Sequence, residues 1–164
     1  MMSRFSGLVG VFGVICGGCG YSTERPFRSG IQSVHVEMLE SRDFRRELEF
    51  QLTEALIKRI EMDTPYKIAP VRTADTLFTG EILEVFEGVL GDDFKTGLPR
   101  EKGATVVMRF RWKDLRTGRM LVERERFVHS VEYIPPVGET FARGMVRGLD
   151  DMAEAIVKTM ESTW

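Results

Sequence analysis

Cys16 and Cys19 stand two residues apart near the start of a 164-residue chain and are its only cysteines. A CxxC pair is the minimum for redox or metal chemistry, and each use needs more. Zinc requires a second pair of ligands, and thioredoxin-like exchange requires a βαβ setting. Neither is present, because the two histidines, His35 and His129, stand alone in sequence. Asp92-Asp93 starts like a calcium loop but lacks the other oxygen ligands at their fixed offsets, so it reads as a turn. The glycines at 7, 10, 13, 17 and 18 follow no strand and precede no amphipathic helix, so they form no phosphate loop. No nucleophile–base pair, carboxylate dyad or metal cluster is legible, and a chain without catalysis, metal or cofactor is expected.

The setting of Cys19 carries a different meaning. Arg4 precedes an apolar run over 5–16, which breaks into Gly17-Gly18. That is the pattern of a secretory signal peptide. The run is about a dozen residues, short of the ~20 that span a bilayer. A cysteine directly after small residues looks like a bacterial lipobox, in which it becomes the acylated first residue. Cys16 stands where a lipobox usually has Leu. Gly20 replaces the Asp that commonly retains such proteins at the inner membrane. The expectation is a signal peptide over 1–18, a lipidated tether over 19–30 and one domain over 31–164. The implied location is the outer membrane, facing the periplasm, with lipidation at Cys19. The polar tether would reach roughly 35–40 Å.

With 43% apolar and 29% charged residues, the rest of the chain reads as one globular domain. A formal net charge of −2 gives no footing for a nucleic-acid partner. Val34, Val36 and Met38 alternate in a strand expected over 31–39, with His35 on the opposite face. A helix is expected over 43–62. Its stripe is Phe44, Leu48, Leu52, Ala55, Leu56 and Ile60, with Ser41 or Asp43 as cap. A short extended piece covers 66–70. A long strand over 75–89 follows, in which Gly80 would admit a closely packed helix. Residues 91–103 read as a polar loop.

The clearest alternation runs from 104 to 114. It turns Ala104, Val106, Met108, Phe110 and Trp112 inward and Thr105, Arg109, Arg111 and Lys113 outward. The turn Asp114-Leu115-Arg116-Thr117-Gly118 leads to a partner strand over 120–133. Met120 and Val122 differ in parity from Phe127, Val131 and Tyr133, which predicts a β-bulge near 124–126. Arg111 is then expected opposite Glu123, and Arg109 opposite Glu125. A last helix over 140–161 carries Phe141, Met145, Leu149, Met152, Ala153, Ile156, Val157 and Met160 on one stripe. The order is β-α-β-β-β-α, with a further short strand possible. The fold class is α+β: a two-layer sandwich with both helices on one face of a mainly antiparallel four-stranded sheet.

These residues resemble the LptE family over nearly the whole mature chain. The resemblance lies in Cys19-Gly20-Tyr21, Val34-His35-Val36, Leu48-Glu49 and Leu52-Thr53-Glu54-Ala55-Leu56. It continues through the run from Ala74 to Ile82, the 114–118 turn and Ala153-Glu154-Ala155-Ile156-Val157. Glu40-Ser41 departs from the family, which often has an Asn there. The resemblance implies an outer-membrane lipoprotein that plugs an LptD-type β-barrel, helps it assemble and passes lipopolysaccharide to the cell surface. It also implies binding of lipopolysaccharide through basic residues.

Between Arg100 and Arg126 there are nine basic and four acidic residues. Arg109, Arg111 and Lys113 line one strand face, and Arg116 and Arg119 flank the turn. Such cations can meet the phosphates of an anionic glycolipid. The competing reading is a solvated face paired with Glu123 and Glu125. The rival function is an LpoB-like lipoprotein that activates a cell-wall synthase. That role needs a long linker, and the tether here is short.

Overall fold

The strict alternation from Ala104 to Trp112 becomes the middle of the central strand. A computed structural model describes residues 27–44, 47–92, 99–133 and 141–161. The described elements are β1 (Ser33–Val36), β2 (Glu40–Ser41), α1 (Leu48–Asp63), β3 (Lys67–Ile68), β4 (Thr76–Asp92), β5 (Pro99–Asp114), β6 (Met120–Tyr133) and α2 (Phe141–Lys158). On β5, Ala104, Val106, Met108, Phe110 and Trp112 are all buried, as the alternation requires.

The sheet is mixed and six-stranded among the described residues, which corrects the expected antiparallel four. Its order is β3-β1-β4-β5-β6, and β2 also pairs with β4. β1 runs parallel to both β3 and β4, and β2 runs parallel to β4. Only β4–β5 and β5–β6 are antiparallel. The cause is local. α1 separates β1 from the short extended piece that becomes β3, and a helical crossover returns the chain in the same direction. Asp75 then ties the start of β4 to β1, its Oδ2 accepting from Gln32 N (2.8 Å) and Ser33 N (3.1 Å).

The β4–β5 ladder runs well beyond the apolar segments. Val89 pairs with Lys102 and Gly91 with Glu101, where a polar loop over 91–103 was expected. Backbone bonds between antiparallel strands need no apolar face, so hydrophobic pattern understates their length. Asp92, expected in a turn, is the last residue of β4 and pairs with Pro99, and Asp93 lies outside the described residues. The predicted bulge in β6 is present. Met108 faces Phe127 and Phe110 faces Arg124, so β6 carries an extra residue there. Val122 and Phe127 therefore both pack on the core despite their different parity. A second register shift, between Trp112 and Lys113, leaves Met120 exposed against expectation.

Both helices cover one face. α2 packs on β6 and β5, α1 reaches β3 and β2, and the helices touch each other. On α2 the stripe from Met145 to Val157 is buried, as is Met160 just beyond the helix, with Phe141 packed at its edge. Across the helix pair Arg59 Nη2 meets Asp150 Oδ2 at 2.7 Å. α1 starts later than expected. Glu47 sits at its N-terminus with a left-handed φ of 75° and makes no side-chain cap, and Phe44 is 86% exposed. Neither Ser41 nor Asp43 stands at the N-cap position, which Glu47 takes. Ser41 Oγ donates to Asp43 O (3.4 Å), and Asp43 Oδ2 accepts from Val85 N of β4 (3.3 Å).

β1 also ends early, at Val36. The chain then leaves the sheet and re-enters at β2, which moves Met38 to the surface and puts Leu39 into the core. Leu39 occupies the space that Gly80 opens. A Cβ built at Gly80 would lie 3.0 Å from Leu39 Cδ2 and Met108 Cε, and 3.2 Å from the Arg109 carbonyl oxygen. The glycine thus admits a crossing loop, not a helix. Leu39 N in turn donates to Thr53 Oγ1 of α1 (3.1 Å). Gly80→Ala is expected to destabilise the fold by about 1–3 kcal/mol through overpacking against a backbone carbonyl. A denaturant midpoint equal to the wild type's would show that the loop gives way freely.

Candidate functional site

Strand geometry sends Arg109, Arg111 and Lys113 to the sheet face the helices leave open, because Phe110 and Trp112 between them point into the core. The register on both sides decides their partners. Arg109 lies across from Glu81 of β4, and its Nη2 is 2.6 Å from Glu81 Oε2. Arg42, just after β2, bonds the other oxygen of the same carboxylate through its Nε. Glu81 is 8% exposed, whereas both arginines are largely open to solvent. Burial alone would push the Glu81 carboxyl up; the guanidinium groups of Arg42 and Arg109 override it and hold the acid below its ordinary range.

Arg111 faces Glu123 as expected, with Nε 2.6 Å from Glu123 Oε1. Its Nη2 also reaches Glu125 Oε1 at 3.0 Å. Glu125 therefore belongs to Arg111, and the expected pairing of Arg109 with Glu125 is not made. The β6 bulge explains the exchange: it inserts a residue opposite Arg109 and carries Glu125 toward the neighbouring guanidinium. Lys113 is exposed and makes no ion pair with a described residue. A hollow of about 370 Å³ opens over this layer, beside Met38, Gly80 and Arg124.

Arg116 and Arg119 are elsewhere. The 114–118 turn forms as expected, with Asp114 Oδ1 accepting from Arg116 N (2.8 Å) and Thr117 N (3.1 Å), and Gly118 at φ 75°. Burial alone would raise the Asp114 carboxyl; these two N–H donors hold it below its ordinary value. The turn delivers Arg116 and Arg119 to a cleft of about 1100 Å³, where Arg28 and Lys67 join them. Arg116 Nη2 donates to Gly30 O (2.7 Å). The five basic residues read from sequence thus form two groups in space.

Sequence reading missed Glu81, Arg42, Arg28 and Lys67. Glu81 was recoverable, since Phe78, Gly80 and Ile82 were placed on one face and Glu81 falls on the other. Arg42, Arg28 and Lys67 carry no local signal, because long-range register brings them in. Cys19 lies outside the described residues. Phe27, within the expected tether, already packs edge-on against Tyr66 (5.7 Å). His35, expected at the surface, is half-buried with Nδ1 2.9 Å from Ala69 O. Among the described residues no three potential ligands gather as a metal site, and no helix is long and apolar enough to cross a membrane.

The family model for LptE, described as lipopolysaccharide-assembly, matches residues 31–160. Several solved structures share the fold at low identity. Protein CT253 from Chlamydia trachomatis superposes with a TM-score of 0.56 at 12% identity, covering 78% of this chain and 96% of that one. The PelC dodecamer subunit from Paraburkholderia phytofirmans gives 0.51 at 13% identity, covering 85% and 96%. At these identities the likeness concerns the fold alone. No curated protein matches significantly.

The Glu81 cluster sets an acid limit on the fold. A carboxyl whose folded pKa lies below its unfolded value stabilises above the ordinary glutamate range, and the contribution is lost as pH falls below about 4. Wild-type protein is expected to lose more stability between about pH 5 and about pH 3 than Glu81→Gln does. Parallel pH–stability curves for the two proteins would count against the cluster.

Proposed function

Because this chain belongs to the LptE family of lipopolysaccharide-assembly proteins, we propose that it is an outer-membrane lipoprotein that seats in an LptD-type β-barrel, helps it assemble and contacts lipopolysaccharide during delivery. The family match over residues 31–160 carries this reading. The fold supports it in one respect. The sheet face without helices is tiled with charge pairs, and the interior of a large outer-membrane barrel is polar. A sandwich with such a face can enter a polar lumen without exposing its core.

Lipopolysaccharide contact is assigned to the same face. Arg109 and Arg111 remain 44% and 53% exposed after pairing, and Lys113 beside them has no described carboxylate partner. A guanidinium bound to one carboxylate retains N–H donors for a phosphate oxygen. Replacing Arg109, Arg111 and Lys113 together by Gln is expected to weaken lipopolysaccharide binding about tenfold or more, since hydrogen bonds to charged groups contribute about 1.5–3 kcal/mol. Unchanged binding with an unchanged melting profile would move the contact to Arg116 and Arg119.

The partner is tested in cells. Crosslinking followed by membrane solubilisation is expected to recover a large outer-membrane β-barrel with this protein. Recovery of a cell-wall synthase and no barrel would replace the proposal with the synthase-activator reading.

A further inference from the structure

The cleft at the β5–β6 turn differs electrostatically from the sheet face. Arg28, Lys67, Arg116 and Arg119 line it, against one described acidic residue, Asp114. Asp114 Oδ1 is already engaged by two backbone N–H groups. Asp75, 3.7 Å from Arg116, is likewise engaged by Gln32 and Ser33. Arg116 is therefore partly matched and is fixed on Gly30 O. Arg28, Lys67 and Arg119 pair with no described anion, and Arg28 Nε is buried with no hydrogen-bond partner. On the sheet face Arg42, Arg109 and Arg111 each have a carboxylate; here three cations converge on a hollow with no described carboxylate of their own.

Forked guanidinium donors and an ammonium around one concavity suit a tetrahedral anion with several acceptor oxygens, which is a phosphate. Position narrows the source. Phe27 stands on the cleft wall and is held there, its ring on Tyr66 and its backbone bridged to Glu161. Only seven residues lie between it and Cys19, and the eight steps span about 26–29 Å at full extension. The cleft thus lies at the end of the sandwich where the chain would meet its anchor.

We propose that this cleft binds the phosphate of a lipid headgroup in the leaflet that holds the anchor, docking the anchored end of the domain against the membrane surface. The choice of a headgroup over free phosphate rests on the lipoprotein reading above; the cation cluster itself does not. This contact is separate from the sheet face, so the two groups of basic residues have different ligands.

The test uses the chain from residue 19 onward carrying Cys19→Ser, so that neither an acyl chain nor the apolar run over 5–16 contributes. Co-sedimentation is measured with vesicles of phosphatidylcholine alone and with vesicles that also contain phosphatidylglycerol. Binding is expected only to the second. The triple variant Arg28→Gln/Lys67→Gln/Arg119→Gln is expected to bind them about a hundredfold more weakly, at about fivefold per cation near an anionic surface. Lys58→Gln, a solvent-exposed cation on α1, is expected to change binding less than about threefold. Circular dichroism melts confirm that each variant folds. Equal binding by the triple variant overturns the cleft assignment. Inorganic phosphate that displaces the vesicles at micromolar concentration overturns the headgroup as ligand and leaves a free-phosphate site. Palmitate labelling of the wild type reads the anchor separately: an unlabelled chain overturns the lipoprotein reading and leaves the vesicle result intact.

Discussion

A sheet covered by helices on one side only has to solve two problems at once. Its inner face must supply a continuous apolar surface, and its outer face must hold charge at strand spacing without repulsion. Trp112, Phe110 and Phe78 meet the first need beneath α1 and α2. Glu81, held between Arg42 and Arg109, meets the second. A carboxylate as enclosed as Glu81 would be unfavourable alone, and two guanidinium groups make it tolerable. Because its partners come from β5 and from the chain after β2, this one group reports whether three distant segments are in register.

The same constraint explains why β1 lies inside the sheet. Leu39 must reach the core immediately after β1, and it can do so only where β4 presents no side chain. Gly80 provides that gap, and Leu39 in turn bonds Thr53 on α1. The helix layer, the crossing loop and the central strands meet at this point. Its neighbour on the outer face is Glu81, so packing and charge pairing are adjacent on one strand.

Much of this was legible beforehand. The alternation of β5, the extent of β6, its bulge, the 114–118 turn and the buried stripe of α2 all follow from side-chain period and turn chemistry. The start of α1 was not legible. Asp43 looks like a cap, yet α1 begins at Leu48 with Glu47 at its N-cap position, and the Asp43 carboxylate accepts from Val85 N of β4, a tertiary contact that no local pattern reveals. β1 and the extended piece that becomes β3 were expected, but β2 and the parallel pairing of these strands were not, because a two-residue strand carries no period and pairing direction is set by long-range register. The polar ends of β4 and β5 were missed because backbone pairing leaves no hydrophobic pattern. Arg109 was assigned the wrong glutamate, since a bulge was foreseen but its effect on the facing row was not followed through.

What the sequence alone determined is the set of amphipathic faces: which residues of each strand and helix are apolar, where the hairpin turns and where the strand must bulge. Side-chain period and turn propensity are local properties, so they can be read from neighbours in the chain. The tertiary structure decided how cations sort. Arg109 and Arg116 are seven positions apart in one basic stretch, yet one is joined to a buried carboxylate and the other opens onto a cleft with Arg28 and Lys67. Coulomb energy depends on distance in space and on local desolvation, and both are set only when the sheet closes.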